Sequence, residues 1–177
     1  MAIIGKVGSG KTSLLEALFG EMIAFKPKSI DPIYLNDSFD ESTLYNLPQV
    51  YLNGSVSYVS QKSWIQSQTL KENILFQKPF NEKKYKEAIK YAQMDTDLKE
   101  IKGGDEAMLG DKGVNLSGGQ KTRLMIARAL YADKDIILMD DPISALDIHV
   151  GTAIMEDAVK GYLKGKTRVI STHAVHF

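Results

Sequence analysis

Gly5-Lys6-Val7-Gly8-Ser9-Gly10-Lys11-Thr12-Ser13 decides how this chain is read. It meets the spacing G-x-x-x-x-G-K-[ST] at every fixed position. Gly5, Gly8 and Gly10 let the backbone turn where a Cβ would clash, so several N–H groups can face phosphate oxygens. Lys11 adds a positive charge able to reach β- and γ-phosphates, and Thr12 supplies an oxygen ligand for Mg²⁺. Residues 12–19, ended by Gly20, predict a helix whose N-terminus directs a partial positive charge at the same anion. A glycine-rich turn that binds nothing is the competing reading. It does not account for the helix that follows, which the motif requires.

Composition sets the surroundings of this loop. The chain has 177 residues, formal net charge zero and 44% hydrophobic residues, which suits one α/β domain with a sizeable core. Zero net charge gives no electrostatic case for nucleic acid or an anionic membrane. With no cysteine, disulfides, thiolate metal sites and thiol catalysis are excluded. No apolar run approaches the roughly 20 residues that span a bilayer, and Met1-Ala2-Ile3-Ile4 is too short for a secretory signal. Strand-like segments at both extremes, residues 1–4 and 168–173, lead us to expect a piece of a longer protein.

Outward from the loop, residues 29–48 are polar and carry Pro32, Pro48, Asn36 and Asp40, so they read as a surface insertion. Tyr34, Phe39 and Tyr45 leave open that it is pinned to the body. Residues 50–60 read as a hairpin turning at Asn53-Gly54. Thr69 with Glu72 forms a capping-box pattern. Asn81 is placed to cap a helix over 82–94, with Tyr85, Ala88, Ile89 and Ala92 as its buried stripe. Gly103-Gly104-Asp105 and Gly110-Asp111-Lys112-Gly113 mark turns. A helix over 119–132 turns Leu124, Ala127, Leu130 and Tyr131 inward. Residues 135–140 are apolar and end in acid, as in a buried parallel strand. A helix over 150–163 and a last strand follow. Strands alternating with helices predict a doubly wound, mostly parallel sheet with ligand at the strands' carboxyl ends.

That edge collects the chemistry. Asp140 can hold Mg²⁺ with Thr12. Asp141, one residue on, can orient or deprotonate an attacking water. Gln61 can ligate Mg²⁺ or hold a water, and His173 can donate to a γ-phosphate oxygen. Taken alone, each of these two reads equally as an ordinary strand-end polar residue. His149 and His176 belong to no constellation. Ser117-Gly118-Gly119-Gln120 opens a helix with free N–H groups and a hydroxyl, a second anion site. One triphosphate does not need two loops, so this one is expected to bind the nucleotide of another subunit or domain.

Leu116-Ser117-Gly118-Gly119-Gln120 resembles the signature of ATP-binding cassette (ABC) ATPases. The Walker A loop at 5–13, Gln61 as Q-loop, the Walker B strand at 136–140, the D-loop Ser144-Ala145-Leu146-Asp147 and the switch His173 stand in family order around it. The resemblance covers essentially the whole chain. The text at 54–61, 64–66, 70–76 and 109–116 is most similar to the first nucleotide-binding domain of the multidrug-resistance-associated (C) subfamily. This implies a P-loop NTPase with a mostly parallel core, a helical signature subdomain at about 62–118 and a truncated N-terminal antiparallel β part, all within one ABC ATPase domain over 1–177. It further implies ATP and Mg²⁺, with phosphates held by Gly5, Val7, Gly8, Ser9, Gly10, Lys11, Thr12 and Ser13. Ser117, Gly118, Gly119 and Gln120 would grip the ATP of a second nucleotide-binding domain, head to tail. Metal ligands would be Thr12, Gln61 and Asp140, and catalytic residues Asp141, His173 and Gln61. The implied partners are that second domain and the transmembrane domains of the same transporter, contacted around 61–76 and just before the signature. The implied location is the cytoplasmic face of a membrane.

Three departures qualify the resemblance. Asp141 stands where the family usually has glutamate, which implies a site that binds ATP and turns it over poorly. A catalytically degenerate regulatory module that dimerises around ATP is the alternative. Residues 29–48 lengthen the usual link to the Q-loop. The adenine-stacking aromatic lies upstream of where this chain begins.

Overall fold

The structure, a computed structural model, describes residues 1–22, 52–110 and 115–173. The expected insertion at 29–48, the first arm of the expected hairpin at 50–51, turn residues 111–113 and His176 lie outside them.

Strands β1 (Ala2–Ile4), β2 (Val56–Val59), β3 (Ile136–Asp140) and β4 (Thr167–Thr172) form one sheet in the order β1-β4-β3-β2. Every pairing in it is parallel. β3 is buried at all five positions, which is why its sequence is apolar without alternation. Its side chains still divide by face. Ile136 and Leu138 join Val169 and Leu15 of helix α1 (Lys11–Phe19) in a small cluster. Ile137 and Met139 enter the main core with helix α5 (Gly118–Ala132). The sheet is therefore covered on both sides, as the α/β reading requires. Among the described residues the antiparallel pairing is the lone bridge Thr69–Met108.

Asn53-Gly54 serves the parallel sheet. Gly54 has φ +135°, and a Cβ there would lie 2.9 Å from Cβ of Asp135. The Ser55 N–H and Oγ–H both donate to Asp135 Oδ2, at 2.8 and 2.7 Å. This close approach sets Val56 opposite Ile136. The glycine is needed where two chain segments touch, and β2 pairs with β3.

The capping predictions hold for α2 (Leu70–Leu75), where Thr69 and Glu72 form the reciprocal box. They hold also for α3 (Glu82–Tyr91), where Asn81 accepts from the Lys84 N–H. Tyr85, Ala88, Ile89 and Ala92 are buried. The helix ends at Tyr91 rather than Met94, because Gln93 turns into the left-handed region at φ +58°. A separate helix, α4 (Asp95–Glu100), follows. The last helical stretch begins at α6 (Ile148–Ala153), two residues before the predicted start, and continues as a π-helix over Ile154–Tyr162. Asp147 caps it by accepting from the N–H groups of His149 and Val150. No helix among the described residues is long and apolar enough to cross a membrane.

α2 and α3 both pack on α5. Asn73, fully buried on α2, is the joint. Its Nδ2 donates to the carbonyls of Gln66 and Thr69, both at 3.0 Å. Its Oδ1 accepts from the Gln66 N–H at 2.8 Å and from Arg128 Nη2 at 3.0 Å. Asn73→Ala leaves several buried polar groups without partners, each costing about 1–3 kcal/mol. We expect a loss of about 3–4 kcal/mol in stability by denaturant unfolding, and a loss below about 1 kcal/mol would contradict this role.

Candidate nucleotide-binding site

Parallel pairing brings the carboxyl ends of all four strands to one edge. Gly5 follows β1, Gln61 lies two residues beyond β2, Asp140 ends β3 and is followed by Asp141, and His173 follows β4. Residues 7–13 of the loop, with Gln61, Asp140, Asp141 and His173, line a single cavity of about 270 Å³. Residues from four separate stretches of sequence thus meet in one place. Ser117, Gly118, Gly119 and Gln120 are not among its lining residues.

The loop has the shape that its glycines allow. Gly8 and Gly10 have φ +80° and +82°, and no heavy atom lies within 4 Å of a Cβ built on either. Backbone conformation, not crowding, requires glycine there. Gly10 is also the N-cap of α1 and Gly20 its left-handed C-cap. Lys11 Nζ donates to the carbonyls of Gly5 and Lys6 at 2.8 and 2.9 Å. The lysine therefore spans its own loop, with its ammonium against carbonyl oxygens that a phosphate could replace.

Asp140 is 2% exposed. Its Oδ1 accepts from the Ser171 hydroxyl. Its Oδ2 is buried without a hydrogen-bond partner among the described residues. A buried carboxylate oxygen left unpaired is costly, and an Mg²⁺ ion or a water it holds would satisfy it. The donor set fits Mg²⁺: one carboxylate, the Thr12 hydroxyl and the Gln61 amide line one cavity, leaving positions for water and phosphate oxygens. Among the described residues no group of three or more His, Cys, Asp or Glu could hold a metal, and Mg²⁺ at a phosphate site does not need one.

Asp141 is held in an unusual backbone state, φ +48°. Its N–H donates to Ser171 O at 3.0 Å and Oγ at 3.1 Å, which fixes the left-handed turn despite the Cβ. Its Oδ2 lies 2.8 Å from His173 Nδ1, and its Oδ1 accepts from Thr172 Oγ1 at 3.4 Å. Asp141 and His173 read from sequence as having separate roles, whereas the fold joins them. An ionised carboxylate can only accept, so Nδ1 carries the proton in this bond. A neutral His173 then has only a lone pair on Nε2. Donation to a γ-phosphate requires protonation, or release from Asp141.

The second loop is built as a helix start. Ser117 Oγ accepts from the Gln120 N–H at 3.2 Å, and the Ser117 N–H donates to Gln120 Oε1 at 3.0 Å. This is a capping box, a pattern legible in Ser-x-x-Gln. Gly118 has nothing within 4 Å of a built Cβ, whereas one on Gly119 would sit 3.3 Å from the Ala145 carbonyl. Among the described residues packing therefore explains Gly119 but not Gly118. The first-turn N–H groups of Gly118 and Gly119 have no intrahelical acceptor.

A second cavity, about 250 Å³, lies beside Trp64, Phe76 and Arg128. The Arg128 guanidinium stacks 4.0 Å from the Trp64 ring and 5.3 Å from Phe76. Its Nη1 is buried without a partner among the described residues. Burial pushes its pKa down to about 10.

A phosphate loop, a strand-end acid and a parallel edge of this kind define a P-loop nucleotide-binding domain. A family model described as "ABC transporter" matches residues 1–144, and the chain belongs to that family. ATP-binding cassette sub-family C member 2 of Rattus norvegicus is 44% identical over 179 residues, covering 100% of this chain and 10% of that protein. Sub-family C member 3 of Homo sapiens is 42% identical with the same coverage of each chain. Multidrug resistance protein mrp-7 of Caenorhabditis elegans is 41% identical, again over 100% of this chain and 10% of that one. The chain is thus similar throughout to sub-family C members and spans about a tenth of their length.

Proposed function

We propose that this chain is the first nucleotide-binding domain of a C-subfamily exporter and that it works as half of an ATP-driven clamp. The observation carrying the proposal is that one chain holds two glycine loops that each open a helix, only one of which lines the strand-edge cavity. In this reading residues 5–13 hold the phosphates of the chain's own ATP. Thr12, Gln61 and Asp140 would hold Mg²⁺, which when bound neutralises charge on the phosphate oxygens. Ser117 to Gln120 would close on ATP held by a second nucleotide-binding domain, and closure would move attached transmembrane domains from the cytoplasmic side. The Trp64–Phe76–Arg128 face suits a transmembrane-domain segment, since it offers two half-exposed aromatic rings and one unsatisfied N–H donor.

The own site is read as one that binds ATP and hydrolyses it weakly. Support comes from the short Asp141 side chain and from its hydrogen bond to His173, which engages both groups that would act on water and γ-phosphate. The same contact favours a second reading, a regulatory module that pairs around ATP without turnover. Single-turnover hydrolysis in the presence of the partner domain separates them: no hydrolysis at either site of the pair removes the basis for the transport reading.

Ser117→Ala tests the clamp. A hydroxyl hydrogen bond to a charged group is worth about 1.5–3 kcal/mol, so ATP-dependent pairing should weaken about tenfold or more. Affinity at the chain's own loop should stay within about twofold. Because Ser117 is also an N-cap, Ser117→Gly serves as a control that spares most of the capping energy. Unchanged pairing in both variants would refute the assignment of the second loop.

A further inference from the structure

Behind the signature loop lies a buried ionic contact that the clamp reading does not use. Asp97, on α4, is 4% exposed. Arg123, one turn into α5, grips it with two parallel bonds, Nε to Oδ2 and Nη2 to Oδ1, each 2.7 Å. Gln120 Nε2 donates to the same Oδ1 at 3.2 Å. The Asp97 and Arg123 side chains are 6% and 14% exposed, so water does not substitute for either partner.

The geometry fixes the Gln120 amide in one orientation. Its Nε2 must face the carboxylate, because a carboxylate only accepts. Its Oε1 then faces the Ser117 N–H. With that N–H occupied and Ser117 Oγ accepting from the Gln120 N–H, the Ser117 hydroxyl still has its proton to donate. Beside it, among the described residues, the N–H groups of Gly118 and Gly119 have no acceptor. Which donors the loop presents therefore depends on a carboxylate some twenty residues upstream, on another helix.

We infer that Asp97 is a positioning residue for the signature half-site, setting through Gln120 and Arg123 the donors presented to the partner domain's ATP. The inference rests on the clamp reading above. Asp97→Asn keeps the shape but places an NH₂ group where an acceptor is required. It turns the Gln120 amide away or breaks the Arg123 fork. Asp97, Gln120 and Arg123 do not line the cavity of the phosphate loop, so nucleotide affinity there is expected to be unchanged.

The test uses the full transporter chain with its partner cassette. ATP is titrated while closure is read by cross-linking cysteines placed across the interface, and own-site binding is read by photolabelling with an azido-ATP. For Asp97→Asn the ATP midpoint of closure rises at least tenfold, with own-site labelling within twofold of wild type. A partly misfolded population lowers the amplitude of closure without moving its midpoint, so the midpoint isolates positioning from stability. Should Asp97→Asn fail to fold, Arg123→Lys carries the test. It leaves Gln120 and its bonds to Ser117 in place and replaces the two-bond fork on Asp97 by one flexible ammonium, and it shifts the midpoint in the same direction. A midpoint within twofold for these variants, while Ser117→Ala shifts it, overturns the inference and leaves the clamp standing. No shift in any of the three overturns both.

Discussion

Lys11→Ala is expected to lower ATP affinity at least tenfold. On the proposed reading Lys11 faces the phosphates, and among the described residues it is the lysine or arginine lining the strand-edge cavity; a hydrogen bond to a charged group is worth about 1.5–3 kcal/mol, each 1.4 kcal/mol being a factor of ten. In this structure Nζ donates to the carbonyls of Gly5 and Lys6. Removing it also releases two carbonyls, but these lie near solvent and can be hydrated, so fold stability should change by less than about 1 kcal/mol. Equilibrium binding of a fluorescent ATP analogue with a parallel thermal melt distinguishes the two effects. Unchanged affinity would show that the loop does not hold phosphate.

The second large effect concerns turnover. Asp141→Glu should raise single-turnover hydrolysis at this domain's own site by on the order of 10²-fold, because a misplacement of about 1 Å carries a rate cost of that size. The structure sharpens the expectation. Asp141 is anchored at its backbone by Ser171 and at its carboxylate by His173 and Thr172. The longer side chain extends past these partners into the cavity, and it frees His173 Nδ1 at the same time. Both consequences favour attack on the γ-phosphate. Measurement needs the partner domain present and its own catalytic acid disabled, so that hydrolysis belongs to one site. A rate unchanged from wild type would mean that the reach of the Asp141 side chain does not limit hydrolysis at this site.

The fold was largely legible in local sequence. The loop at 5–13 needs glycines at fixed places and a helix after it, and capping patterns at Thr69–Glu72 and Asn81 are satisfied within one turn of chain. The apolar run before Asp140 is a signal of burial on both faces, and β3 is buried at every position. The six ordered motifs sufficed to recognise the ABC family, to which the match over residues 1–144 assigns the chain. Even the capping role of Ser117 and Gln120 was present in the spacing, though masked by the louder anion-binding pattern at the same four residues.

Other features depended on pairs that are distant in sequence. Gly54 reads from sequence only as part of a turn, and its contact with Asp135, 81 residues on, is visible only in the structure. Asp141 and His173 read as two independent groups until the β3–β4 pairing sets them 2.8 Å apart. Asp97 carries no motif at all, and its part in shaping the signature loop appears only where α4 meets α5. The physical reason is common to all three. Turns, caps and phosphate loops draw on neighbours along the chain, so residue identity and spacing suffice. A hydrogen bond across strands or helices depends on which distant segments the core brings together, and no local pattern encodes that choice.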